Sequence, residues 1–168
     1  MMNLDLNKKY FRLSFPFSKK TNPEDFGLTK TLRKEIFKDD TDNSKWLRQD
    51  LYDFGWGKEP GFVRIPIPDF EDLWELLVNS PVEDNRYGAA HILETKYPEK
   101  LLQKVLENID FSMLKKRDIL TEALQILHLK EGTNRSEILN KTDQEIKEDF
   151  KKWQYVAKRL KVINNQPD

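Results

Sequence analysis

The chain has no cysteine among its 168 residues. Disulfides, thiolate metal centres and cysteine nucleophiles are thereby excluded. Glycine is scarce, and Gly27, Gly55, Gly57, Gly61, Gly88 and Gly132 fit neither a dinucleotide-binding nor a P-loop pattern. No serine stands in a nucleophile elbow. Histidine occurs twice, in His91-Ile-Leu-Glu94 and His128-Leu-Lys-Glu131. Di-iron sites use the opposite order, Glu before His, with two further Glu on separate helices. Neither pair therefore completes a ligand set. No apolar run approaches the roughly 18 residues of a membrane span. Lys8, Lys9 and Arg12 interrupt the N-terminal segment, which lacks the apolar core of a secretion signal. These absences predict a cytoplasmic chain with no catalytic residues, no cofactor, no metal and no membrane association.

What is present is charge and aromatic bulk. Charged residues make up 35% of the chain, hydrophobic residues 38% and aromatics 11%. That is apolar enough to fold as one domain of ordinary size. Net charge is zero, yet Met1 to Lys34 carries +5, Glu35 to Asn85 carries −8 and Arg86 to Asp168 carries +3. The centre is an acidic block, and an acidic face repels phosphate and attracts basic proteins. A plain solvated surface is the alternative. Basic residues are too few and too dispersed for a phosphate groove, so nucleic acid is disfavoured.

Apolar spacing predicts mostly helices. Tyr10 to Phe17 alternates with period two and reads as a strand, with Phe62 to Ile67 as a second short candidate. The two form either a ribbon or extended arms packed on helices. Asn22-Pro23 is a helix start signal, and the helix is predicted to run to about Lys38. Asp42 or Ser44 then caps a helix carrying Trp46, Leu47, Leu51 and Phe54. Asp69 caps the next. Ser80-Pro-Val-Glu83 opens one running to Lys96, and Pro98 opens its successor. A strongly apolar helix spans Ser112 to Leu129, and Thr142-Asp-Gln-Glu145 opens the last.

Ser80 to Asn108 resembles one HEAT-type repeat. It has an entry proline (Pro81), Asp84 and Arg86 at the helix start, the small pair Ala89-Ala90, and a turn at Tyr97-Pro98. The return helix carries Leu101, Leu102, Val105 and Leu106. The fold class is thus read as mainly α: a short HEAT-like helical array or irregular bundle with an extended or two-stranded N-terminal element. The domain division is one helical domain over 1–168, with an aromatic-rich part at 1–67, a helical array at 68–163 and a frayed tail at 164–168.

In size and style the chain also resembles the small bacterial immunity proteins that neutralise toxins delivered by neighbouring cells. That resemblance implies a cytoplasmic, non-catalytic inhibitor that occludes an active site, with a basic toxin domain as its protein partner. A scaffold or adaptor is the alternative, and a nucleic-acid-binding or nucleic-acid-modifying helical-repeat protein a further one. Partner-binding candidates are Asp39, Asp40, Asp42, Asp53, Asp69, Glu71 and Asp72 from the acidic block, with Tyr52 and Trp56 as aromatic anchors.

Overall fold

The computed structural model describes residues 4–14, 20, 22–53, 57–111, 114–127 and 141–164. Of residues 52–53, 110–111, 114–119 and 160–164 it describes the backbone alone. The chain is not the mainly α array that its spacing predicts. Five strands, β1 (Phe11–Leu13), β2 (Leu28–Lys30), β3 (Ile36–Asp39), β4 (Lys45–Asp53) and β5 (Lys58–Ile65), form one antiparallel sheet in the order β1-β5-β4-β3-β2. Five helices follow among the described residues: α1 (Phe70–Asn79), α2 (Glu83–Lys96), α3 (Pro98–Phe111), α4 (Leu114–Ile126) and α5 (Asp143–Asn164). The architecture is mixed α and β with the strands first, which overturns both the all-α class and the helical-repeat reading. The chain divides into two compact units, Met1–Leu93 and Glu94–Asp168.

Local chemistry explains where helix gave way to strand. The Asn22-Pro23 signal operates, with Asp25 Oδ2 accepting the Asn22 N–H at 3.3 Å, but only for one 3-10 turn, Pro23–Phe26. Gly27 closes it at φ 69°, a left-handed conformation that glycine adopts without a Cβ clash. The expected helix to Lys38 is instead the β2–β3 hairpin. Asp42 does bond ahead, its Oδ1 accepting the Ser44 N–H at 2.9 Å. That is an Asx turn opening β4, not a helix cap.

The sheet is apolar on both faces. On one, Phe37 of β3 lies across from Trp46 of β4, which lies across from Arg64 of β5. Phe26, Leu28, Phe37, Trp46 and Phe62 pack together there, with Phe62 edge-on to Phe26 and Phe37 at 5.5 and 5.2 Å. On the other, Phe11 and Leu13 of β1 stand opposite Val63 and Gly61 and are buried. This face meets the start of α2, where Gly88 lies against the Phe11 ring.

Two helices begin at their predicted caps, whereas α2 begins at Glu83 and not at Pro81. Asp69 Oδ1 accepts the Asp72 N–H at 3.0 Å and starts α1, which buries Phe70, Leu73, Trp74, Leu76 and Leu77. In the second unit Thr142 and Glu145 form the expected reciprocal box, Thr142 N–H to Glu145 at 2.7 Å and Glu145 N–H to Thr142 at 3.3 Å. It opens α5, whose Trp153 and Val156 are buried. Lys141, just before it, bonds Asp149 and lies 3.6 Å from Glu99 of α3. Residues 15–17, 54–56, 112–113, 128–140 and 165–168 lie outside the described residues, so the end of the first strand, Phe54, His128, Glu131 and residues 165–168 of the predicted tail fall there, whereas Asn164 ends α5.

Candidate functional site

The acidic block does not assemble into one face. Asp39 is buried and paired with Arg12, and it also accepts the Thr41 N–H at 2.8 Å and the Thr41 hydroxyl at 2.6 Å. Asp42 is paired with Arg64 at 2.8 Å. Both arginines stack on the buried Trp46 ring, Arg12 at 4.2 Å and Arg64 at 5.8 Å from its centroid. These carboxylates therefore lock a cation–aromatic stack onto the sheet. Asp72 is buried in α1, and Asp69 serves as its cap. Asp40 and Glu71 are exposed, on the β3–β4 turn and α1 respectively, and Asp40 accepts the Thr29 hydroxyl at 3.0 Å. The side chains of Tyr52 and Asp53, and Trp56 entirely, lie outside the described residues.

The Arg12 pairing has an acid signature. Burial alone would raise the Asp39 pKa, but the bonds from Thr41 and Arg12 outweigh it and hold the carboxyl below its ordinary value. A lowered carboxyl stabilises the fold above its unfolded-state value and loses that contribution as the pH falls through the folded-state one. Stability should therefore fall more steeply between about pH 5 and pH 2 in the native chain than in Asp39→Asn. Urea titrations at a series of pH values check this, and parallel curves would refute it.

Among the described residues, two open grooves lie beside the sheet. The larger, about 1160 Å³, lies among Lys9, Arg12, Lys20, Phe26 and the start of α2. Its charges compensate one another: Arg12 pairs with Asp39, Lys9 lies 3.7 Å from Asp84, and Asp25 and Glu83 line the same groove. Burial pushes the Asp84 carboxyl up, and Lys9 offsets that only in part.

The smaller groove, about 760 Å³, lies along the β2–β3 hairpin, and its charges are of one sign. Lys30, Arg33, Lys38 and Lys45 line it together with Thr29, Thr31, Leu32 and Ile36, and no carboxylate does. None of the four cations forms an ion pair with a described residue. Pairing fixes their arrangement. Thr29 stands across from Lys38, which stands across from Lys45, so two ammonium groups are direct cross-strand neighbours. One row along the same face, the half-buried Ile36 and Leu47 continue into the buried Val63 and Phe11. The apolar surface thus runs out of the core and ends beside Lys38 and Lys45, whereas Lys30, paired with Phe37, stands on the opposite face of the sheet.

The hairpin tip is unusual in two further respects. Leu32 is fully exposed, whereas the other leucines with described side chains are buried or half-buried. Glu35 sits at φ 68°, a left-handed conformation that is costly for a residue without a short polar side chain. The Glu35 carbonyl is nonetheless engaged, accepting the Arg48 N–H at 2.8 Å.

Like charges directly across a sheet are destabilising, and opposite charges contribute about 0.2–1 kcal/mol. Lys38→Glu should therefore raise the unfolding free energy by a few tenths to about 1 kcal/mol. Denaturant titration at low salt checks this, and a destabilised variant would show that Lys38 already has a compensating partner. A position whose native residue costs stability is where a binding role is to be sought.

Sequence reading missed this groove because the segment from Pro23 to Lys38 was assigned to one helix and Lys45 to the next. The strand pairing alone brings Lys38 and Lys45 together. Among the described residues there is no group of His, Asp and Glu able to hold a metal ion. None of the described helices is long and apolar enough to cross a membrane. Comparison with protein-family models, characterised proteins and solved structures finds no match to this chain.

Proposed function

We propose that this chain is a protein-binding module without catalysis of its own, and that it docks through the β2–β3 hairpin. Its most specific form is an inhibitor of the immunity type, which covers the working surface of an effector. The observation that carries this reading is the hairpin groove: exposed Leu32 and half-buried Ile36 framed by Lys30, Arg33, Lys38 and Lys45, with no carboxylate in the lining. An exposed apolar anchor inside a charged rim is the usual anatomy of a protein interface. The contact region of the partner then carries acidic side chains. This reverses the polarity inferred from residue counts, because Asp39 and Asp42 are already neutralised by Arg12 and Arg64.

A scaffold or adaptor role is the second reading. The division into Met1–Leu93 and Glu94–Asp168 favours it, since each unit can offer its own surface.

Photo-crosslinking in the native cell tests both. A benzophenone amino acid is placed at Leu32, or at the exposed Tyr155 of α5 as a comparison site. The Leu32 position should yield one discrete protein adduct that disappears when Lys38 and Lys45 are both reversed to Glu. Loss of the partner's activity on stoichiometric addition of the pure chain supports inhibition. A second, distinct adduct from Tyr155 supports the adaptor. No adduct from Leu32, or the same adduct from both positions, overturns hairpin docking.

A further inference from the structure

Resting on the hairpin docking just proposed, the strand register goes further and names the form of the partner. The Asp39 N–H donates to the Ser44 carbonyl at 2.9 Å, and the Arg48 N–H to the Glu35 carbonyl at 2.8 Å. Bonded and non-bonded pairs alternate along antiparallel strands. Lys38–Lys45 and Ile36–Leu47 are therefore both pairs of the closer kind, with Cα atoms about 4.5 Å apart. They share one sheet face and stand two residues apart along β3, so about 6.6 Å separates the apolar pair from the cation pair. We propose that this part of the face takes an acidic amphipathic helix of a partner protein. It lies along β3 and β4, with carboxylates over Lys38 and Lys45 and apolar side chains over Ile36 and Leu47.

Spacing and charge both select such a helix. Residues four apart on a helix rise about 6 Å, close to the two-residue step of a strand. One helix face can therefore set a carboxylate over the lysines and, a turn further on, an apolar group over Ile36 and Leu47. The same face already carries a helix further in: α2 meets Phe11 of β1 through Gly88. β4 lies two strands beyond β1, about 10 Å away, or one helix diameter. No helix residue lines the groove. Lys38 and Lys45 repel each other, and neither has an ion pair among the described residues, so an added carboxylate relieves both. Asp40, exposed at the adjoining turn, is engaged with the Thr29 hydroxyl at 3.0 Å. Leu28 is fully buried, so the outer edge of β2 offers no open run of main chain, and side chains must hold the partner. A nucleic acid would find no described aromatic side chain in the groove on which to stack its bases.

The full-length chain is tested with a capped, alanine-based peptide of about 15 residues, whose one face bears glutamates in one turn and leucines in the next. The comparison probes are the same peptide with a central proline, its lysine-for-glutamate counterpart, a thymidine oligonucleotide, and vesicles with about one third phosphatidylserine. The glutamate peptide should bind and gain helix content on binding. Affinity should fall about tenfold or more with the proline peptide and in the Lys38→Glu/Lys45→Glu variant. It should fall likewise from about 0.05 to about 0.5 M salt, as the screening length shrinks from about 14 to about 4 Å. Lys30→Glu should leave affinity within about twofold at about 0.15 M salt, because Lys30 stands on the opposite face. Failure of the glutamate peptide to bind, equal binding of the proline or lysine peptide, an equal loss in Lys30→Glu, or tighter binding of the oligonucleotide or vesicles overturns helix docking. If that happens while the Leu32 adduct persists, hairpin docking stands and only the helix mode falls. Loss of both removes the site.

Discussion

Gly88→Ala should destabilise the Met1–Leu93 unit by about 3 kcal/mol, although alanine is the better helix former by about 1 kcal/mol. A Cβ at Gly88 would lie 2.2 Å from Cδ1, 2.3 Å from Cγ and 2.8 Å from Cβ of Phe11. Relief cannot come from a ring flip, because Cβ of Phe11 is itself too close. Phe11 is fully buried, and its strand is held in register with Phe11 opposite Val63. The helix or the strand must move. For a unit of the size of Met1–Leu93 each kcal/mol shifts Tm by about 4–8 °C, so a loss of about 12–24 °C in the transition of that unit is expected. The sign is the decisive part: in an unpacked helix the same substitution stabilises. Adding Phe11→Leu should recover part of the loss, since the two positions share one space. An unchanged or raised Tm in Gly88→Ala would show that α2 does not press on β1.

Asn85→Ala should cost at least as much. Asn85 is fully buried, and its carboxamide uses both ends. Its Oδ1 accepts the main-chain N–H groups of Tyr10 and Phe11 at 2.8 and 3.2 Å. Its Nδ2 donates to the Lys8 carbonyl at 2.8 Å and to Ser80 Oγ at 3.0 Å. Ser80 in turn donates to the Leu6 carbonyl at 2.8 Å. Truncation strands two buried amides and a carbonyl, at about 1–3 kcal/mol for each group left without water, so about 3–5 kcal/mol in all is reasonable. The first strand should then be cut readily by protease near Lys8, Lys9 and Arg12 while the rest of the chain survives. Uniform resistance along the chain would refute the clasp. Asn85→Asp should behave differently. It keeps the acceptor but buries a charge beside Asp84, and it should recover stability as the pH falls and the new carboxyl is neutralised.

Much of the helical half was legible because its signals are local. Asp69 and the Thr142–Glu145 box are read within four residues, and α1 and α5 begin where they place them. The sheet was not legible, for two physical reasons. Both faces of it are covered near β4 and β5, so Trp46, Leu47 and Leu51 all carry apolar side chains and the period of two is lost. The register also shifts between Asp50 and Tyr52, which breaks the alternation along β4. The start signals at Asn22 and Asp42 were real but served a single turn and an Asx turn. Candidate residues suffered in the same way. Residue counts registered an acidic centre, but the cations that neutralise it, Arg12 for Asp39 and Arg64 for Asp42, are 27 and 22 residues away. Ser80 was read as the cap of a helix starting at Pro81, but it is the C-cap of α1, and α2 begins at Glu83; its hydroxyl accepts the Val82 N–H at 3.2 Å and reaches back 74 residues to Leu6.

That reach has a consequence for synthesis on the ribosome. β1 leaves the exit tunnel before its partners β5 and Asn85, the latter 74 and 75 residues later for Phe11 and Tyr10. At about 5–20 residues per second, the strand waits roughly 3–10 s for Val63 of β5 and roughly 4–15 s for Asn85. The β2–β3–β4 meander can close in the meantime from near neighbours. The leading segment spends that interval as an unpaired chain bearing Tyr10, Phe11 and Leu13, with Lys8, Lys9 and Arg12 alongside. Those three charges keep a nascent apolar strand dispersed until its clasp emerges.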